Sequence, residues 1–187
     1  MRLARVANSL TLAYAPLFIP ISDQRPGARR ARFAELLHSA ALLKEGLHTC
    51  RSLAKWFRDK VQYSEGIESL LRDPHIQQFE TEIAHKIRNE IAFRFDREAM
   101  AVGMARLPDQ EMIVASYPPE GPAIGETYFD VADDAILGYL FGDAQTGTEY
   151  LHRLEAFMTR NAELLTRFLQ ASHRLVAIGL VDLGCRK

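Results

Sequence analysis

The chain has 187 residues, 48% of them hydrophobic and 25% charged. This is the balance of an ordinary globular protein long enough for one domain with a sizeable core, which excludes a disordered chain. A formal net charge of −1 excludes any global pull toward nucleic acid or an anionic membrane, so a nucleic-acid site would have to be a local patch.

The first segment, MRLARVANSLTLAY, places Leu3, Val6, Ala7, Leu10 and Tyr14 at helical spacing and is expected to be a helix packed on the core and ended by Pro16. Asn8, Ser9 and Thr11 interrupt its apolar run and no clear cleavage site follows, so it does not read as a signal peptide. No segment has the apolar length to cross a bilayer, and a cytoplasmic location is expected. The connection PLFIPISDQRPG leads into a long helix from residue 28 to about residue 60. Phe33, Leu36, Leu37, Ala40, Leu43, Leu47, Leu53, Trp56 and Phe57 give it an apolar face, with a bend expected near Gly46.

SEGIESLLRDP predicts a short helix that stops before Pro74. Asp73 is placed to cap the next helix, with Pro74 at its first position. Phe79, Ile83, Ile87, Ile91 and Phe95 then step by four residues as a buried stripe. REAMAVGMARL predicts a further helix before Pro108. Next comes a stretch rich in Pro and Gly with two β-prone runs, 111–117 and 126–129, expected to pair as a hairpin leaning on the helices. Asp130 is placed to cap a helix that Gly142 closes, and Thr146 and Glu149 have capping-box spacing before the last helix. Leu151, Leu154, Met158, Leu165, Phe168 and Leu175 lie along its apolar seam, with Asn161 and Ser172 as polar interruptions. The expected architecture is all-α: one domain spanning 1–187, a helical bundle with a small two-stranded β-hairpin insertion at about 111–129.

Several features carry little chemistry. Cys50 and Cys185 have no Cys or His neighbour at zinc spacing, so neither a metal site nor a disulfide framework is expected. Arg25, Arg29, Arg30 and Arg32 cluster in RPGARRAR, but without interleaved aromatics and at a helix start, where the dipole disfavours cations. They read as a solvated or partner-facing run. Helix capping by Asp130 accounts for most of the acidic group Glu126, Asp130, Asp133 and Asp134. His38, His48, His152 and His173 are isolated, and no Gly-rich phosphate loop or nucleophile elbow is present, so no cofactor is expected.

The stretch with the most chemistry is KIRNEIAFRFD, residues 86–96. On a helical wheel His85, Arg88, Asn89, Ala92 and Asp96 share one stripe, which sets a cation, an amide and a titratable ring on one face. Arg94 points roughly 120° away from Arg88. The run IRNEIAFRFD resembles the signature helix of the HEPN superfamily (higher eukaryotes and prokaryotes nucleotide-binding domain), in which Arg and a polar residue such as Asn precede a few mostly apolar residues and then His. Arg88 and Asn89 match the start of that motif, and IAF matches its apolar filling. Arg94 stands where the family has His.

The resemblance implies a small all-α bundle, often a homodimer, of a kind that includes metal-independent ribonucleases of bacterial toxin and phage-defence systems. The departure limits the chemistry, because Arg stays protonated and cannot serve as a base. His85, one turn before Arg88, is the residue able to move a proton near neutral pH. The expected site is therefore Arg88 and His85 for catalysis, and Arg88, Asn89 and Arg94 for RNA or nucleotide phosphate, without a metal. The expected activity is a degenerate or altered ribonuclease. The alternative is a non-catalytic helical interaction or scaffold subunit with a protein partner, in which Arg88 and Asn89 only satisfy bonds between helices.

Overall fold

The structure, a computed structural model, describes residues 1–14, 26–59, 63–92, 96–106, 130–142, 147–182 and 184. The described residues are almost entirely helical and contain no strand. The expected hairpin at 111–129 lies outside them, as do Arg25, Arg94, Phe95, Glu126 and Cys185, and the side chains of Arg29, Arg30, Arg32 and Asp130.

Helix α1 spans Arg2–Tyr14 and buries Leu3, Ala7, Leu10 and Ala13, one residue per turn on a single face. Val6 and Tyr14 pack at the edge of that core. Helix α2, Pro26–Phe57, and helix α7, Gly147–Asp182, are the two long members. They run parallel. Ser39 meets Asn161, Gly46 meets Phe168 and Phe57 meets Gly179, each pair being 122 residues apart. A constant offset of this kind is the mark of two helices advancing side by side in one direction.

The buried positions of α7 include Phe157, Asn161, Leu164, Phe168, Ala171 and Leu175, alternating steps of four and three, the spacing of a heptad seam. Leu154 and Met158, expected on that seam, lie only partly buried beside it. Gly46 lies within the unbroken α2, where a Cβ would meet the fully buried Phe168 ring. Among the described side chains the core is otherwise apolar, apart from Ser39, Glu80, Asn161 and Ser172. Asn161 donates to Ser39 Oγ at 2.8 Å, and Ser39 Oγ donates to the Leu36 carbonyl at 3.0 Å. The Asn161 Oδ1 atom is buried with no hydrogen-bond partner among the described residues.

Between the long helices the chain makes a π-helical turn at Tyr63–Glu68 and a short helix α3, Ser69–Arg72. Asp73 then caps helix α4, Pro74–Phe79, by accepting from His75 N at 2.9 Å, with Pro74 at the first position as its fixed φ favours. The Asp73 carboxylate also accepts from Arg167 Nη1 of α7 at 2.9 Å. These contacts, with the Arg167 bond first in weight, hold its carboxyl below the usual carboxylate range.

The helical run continues past α4 through two further π-helical turns, Glu80–Ala84 and Ile87–Ile91. Ala92 N bonds the Ile87 carbonyl five residues back at 2.7 Å, the wide-turn pattern. Wide turns shift the buried stripe relative to an ideal helix. Phe79, Ile87 and Ile91 are buried as expected, but Glu80 and Ala84 are buried where Ile83 is only partly so. Asp96, expected on the polar stripe, caps helix α5, Arg97–Ala105, through Glu98 N and Ala99 N. Helix α6, Asp130–Phe141, crosses α5 so closely that a Cβ on Gly103 would lie 1.9 Å from the Ala135 carbonyl oxygen.

Candidate functional site

The run from 74 to 91 lies antiparallel against α2: Glu80 meets Arg51, and further along His85 meets Lys44 and Arg88 meets Glu45. Lys44, Arg51, Leu71, Gln77, Glu80, Thr81 and His85 line one open groove on this face. The contacts along it form a connected polar chain. Glu45 Oε1 accepts from Arg88 Nε at 2.6 Å. Arg88 Nη1 donates to Asn89 Oδ1 at 2.7 Å. Asn89 Nδ2 then stands 3.0 Å from both ring nitrogens of His85, and Lys44 Nζ stands 3.1 Å from His85 Nδ1.

Each link restricts the next. Because Asn89 Oδ1 is held by the arginine, its amide nitrogen is the end that faces His85. An ammonium carries donors and no acceptor, so the Lys44 contact uses a ring nitrogen as the acceptor. His85 is thus approached by two donors and, among the described residues, by no carboxylate. The Arg88 side chain is 40% exposed and that of Glu45 38% exposed. The ion pair is therefore a half-solvated brace rather than a buried one. Arg88 Nη2 has no partner among the described residues.

The floor of the groove is more tightly built. Glu80 is buried and accepts from both terminal nitrogens of Arg51, Nη1 at 2.7 Å and Nη2 at 2.5 Å. The bidentate fork matches a planar carboxylate. On the far side of the same run Glu90 accepts from the Tyr139 hydroxyl of α6, and that bond, assisted by burial, pushes the phenol up to about 12. Lys86 Nζ sits 5.7 Å from the centre of the Tyr139 ring. Cys50 is fully buried, and burial raises its thiol to about 12, which removes it as a nucleophile. No group of three or more His, Cys, Asp or Glu side chains converges to hold a metal ion among the described residues.

Three of the four residues singled out in the sequence, His85, Arg88 and Asn89, come together; Arg94 lies outside the described residues. Arg88 pairs with Glu45 of α2, not with Glu82 of its own run or with Asp96, the cap of α5. Lys44, Glu45, Arg51 and Glu80 were missed. Only the antiparallel register of two helical segments, with contacts 29 to 43 residues apart in sequence, brings them to the site, and no local spacing signals it. No helix among the described residues is long and apolar enough to cross a membrane. Comparison with protein-family models, with curated proteins and with solved structures found no match for the chain.

Proposed function

We propose that this chain is a HEPN-like helical protein whose groove between α2 and the 74–91 run binds RNA or nucleotide phosphate, with degenerate or altered ribonuclease activity. The observation that carries the reading is the meeting of two donors, Lys44 and the Asn89 amide, at the single accepting position of His85 beside an open groove that Lys44 and His85 line, where the Glu80 carboxylate of the same groove is already taken by Arg51. Phosphate is the acceptor that such a set lacks. Arg88 adds an unused Nη2 edge, held in place by Glu45. In an active protein His85 moves the proton and Arg88 stabilises charge on the phosphate, with no metal involved. A homodimer, implied by the HEPN resemblance, is part of the same proposal and is read by the mass of the protein in solution.

The test is RNA binding and RNA cleavage by the folded protein in EDTA, beside Lys44→Ala and Arg88→Ala. The proposal expects a roughly tenfold or greater loss of affinity in Lys44→Ala, since bonds to charged groups carry about 1.5–3 kcal/mol, and a shallower salt dependence. Wild-type affinity in folded Lys44→Ala would refute it.

A second reading rests on the Glu45–Arg88 pair, which braces α2 against the 74–91 run without need of a ligand. There the chain is an interaction or scaffold subunit. Wild-type protein that neither binds nor cleaves RNA favours it.

A further inference from the structure

Building on the phosphate-binding reading, we infer that anion binding in this groove is coupled to the uptake of one proton by His85, so that the site is a proton-linked anion switch. The argument starts from the direction of the hydrogen bonds. Glu45 orients Arg88, Arg88 holds the Asn89 carbonyl, and the Asn89 amide is thereby turned nitrogen-first toward the ring. Lys44 approaches Nδ1 of the same ring at 3.1 Å. A neutral imidazole has one accepting nitrogen and takes one of these two donors; an imidazolium has none and takes neither. Protonating His85 with the groove empty would set two cations and an amide donor against one another.

An anion reverses the balance. Taking the place of the direct Lys44–His85 contact, it accepts from the ammonium and from the ring N–H together, and it supplies the negative charge that the ring otherwise lacks. The other charged groups do not supply it. Lys44 and Arg51 of α2 share the groove with the ring, as does Glu80 of its own run, and Glu45, next to Lys44, pairs with Arg88. Glu80 is taken by Arg51 and Glu45 by Arg88. Glu82 is held by Gln78, and Lys86 lies over Tyr139. Leu71 of α3 brings no charge. Proton and anion therefore favour each other's binding, and linkage makes the effect reciprocal.

The test uses a fluorescent oligouridylate without terminal phosphates, whose phosphodiesters do not titrate in the range scanned. Its affinity is measured by anisotropy at fixed ionic strength from about pH 6 to about pH 8, the range in which histidine changes charge. The affinity is expected to fall as pH rises, approaching about tenfold per pH unit where one proton is taken up. His85→Asn, with its fold checked by circular dichroism, is expected to bind more weakly at the acid end and to lose the slope. The variant is needed because the chain carries six histidines. Tight binding with no pH dependence overturns the inference and leaves the phosphate-binding reading standing, as does a slope that survives in His85→Asn. Wild-type protein that binds at no pH overturns the phosphate-binding reading itself, and the inference with it.

Discussion

Replacing Gly46 with alanine tests the packing on which the parallel α2–α7 pair depends. The new Cβ would lie 2.5 Å from Phe168 Cζ and 3.0 Å from both Cε atoms, where carbon atoms settle at roughly 3.5–4.0 Å. Phe168 would have to retreat by about 1 Å, yet it is fully buried with the core around it. Overpacking of this kind costs about 1–3 kcal/mol. Against it stands the helix preference of alanine over glycine, about 1 kcal/mol, so the net loss is about 0–2 kcal/mol. Gly179→Ala is the control. It lies in α7, and its Cβ would stand 3.6 Å from Phe57 Cζ, an ordinary contact, so the helix preference acts there unopposed. The two variants should differ by about 1–3 kcal/mol, with Gly46→Ala the less stable, as urea midpoints at unchanged slope would show. Adding Phe168→Leu to Gly46→Ala should relieve the clash and give a favourable coupling of about 1 kcal/mol. Equal stability of the two alanine variants would refute the reasoning, because it would mean that the ring yields freely.

Two further outcomes are expected. Arg51→Met should cost about 1–3 kcal/mol in urea melts by leaving the buried Glu80 carboxylate without its partner. Glu80→Gln should cost less, because the Arg51 side chain is 42% exposed and can turn into water; the reverse order would place the burial on the wrong partner. Asp73 binds its proton less readily in the folded chain, held by Arg167 and then by the His75 amide. Its contribution is thus complete above about pH 4 and lost as pH falls further. Asp73→Asn keeps an acceptor for the cap and removes the charge, so its urea midpoint should fall less than wild type on acidification below about pH 4; parallel acid limbs would remove Asp73 from the account.

The helices were legible because their signals are local. The Asp73–Pro74 start, the apolar face of α1 and the polar interruptions at Asn161 and Ser172 all appear where residue spacing placed them. Two things were not legible. The π-helical turns at Glu80–Ala84 and Ile87–Ile91 leave no mark in a pattern read at 3.6 residues per turn, and they carry Glu80 inward in place of Ile83. The partners of His85 and Arg88 lie on α2, so that half of the site is set by helix register rather than by anything in KIRNEIAFRFD.

Two long helices with heptad seams can in principle slide along one another and still bury leucine against leucine. A slip of one turn moves one helix by about 5.4 Å. It would pull the Asn161 amide away from the Ser39 hydroxyl at the heart of the pair and strand buried polar groups, at about 1–3 kcal/mol each. The amide, weak as a source of stability with its own oxygen unbonded among the described residues, thereby acts as an index that disfavours misaligned neighbours. Since Lys44 and Glu45 ride on α2 only one to two turns from Ser39, the same index sets where along the molecule the groove falls.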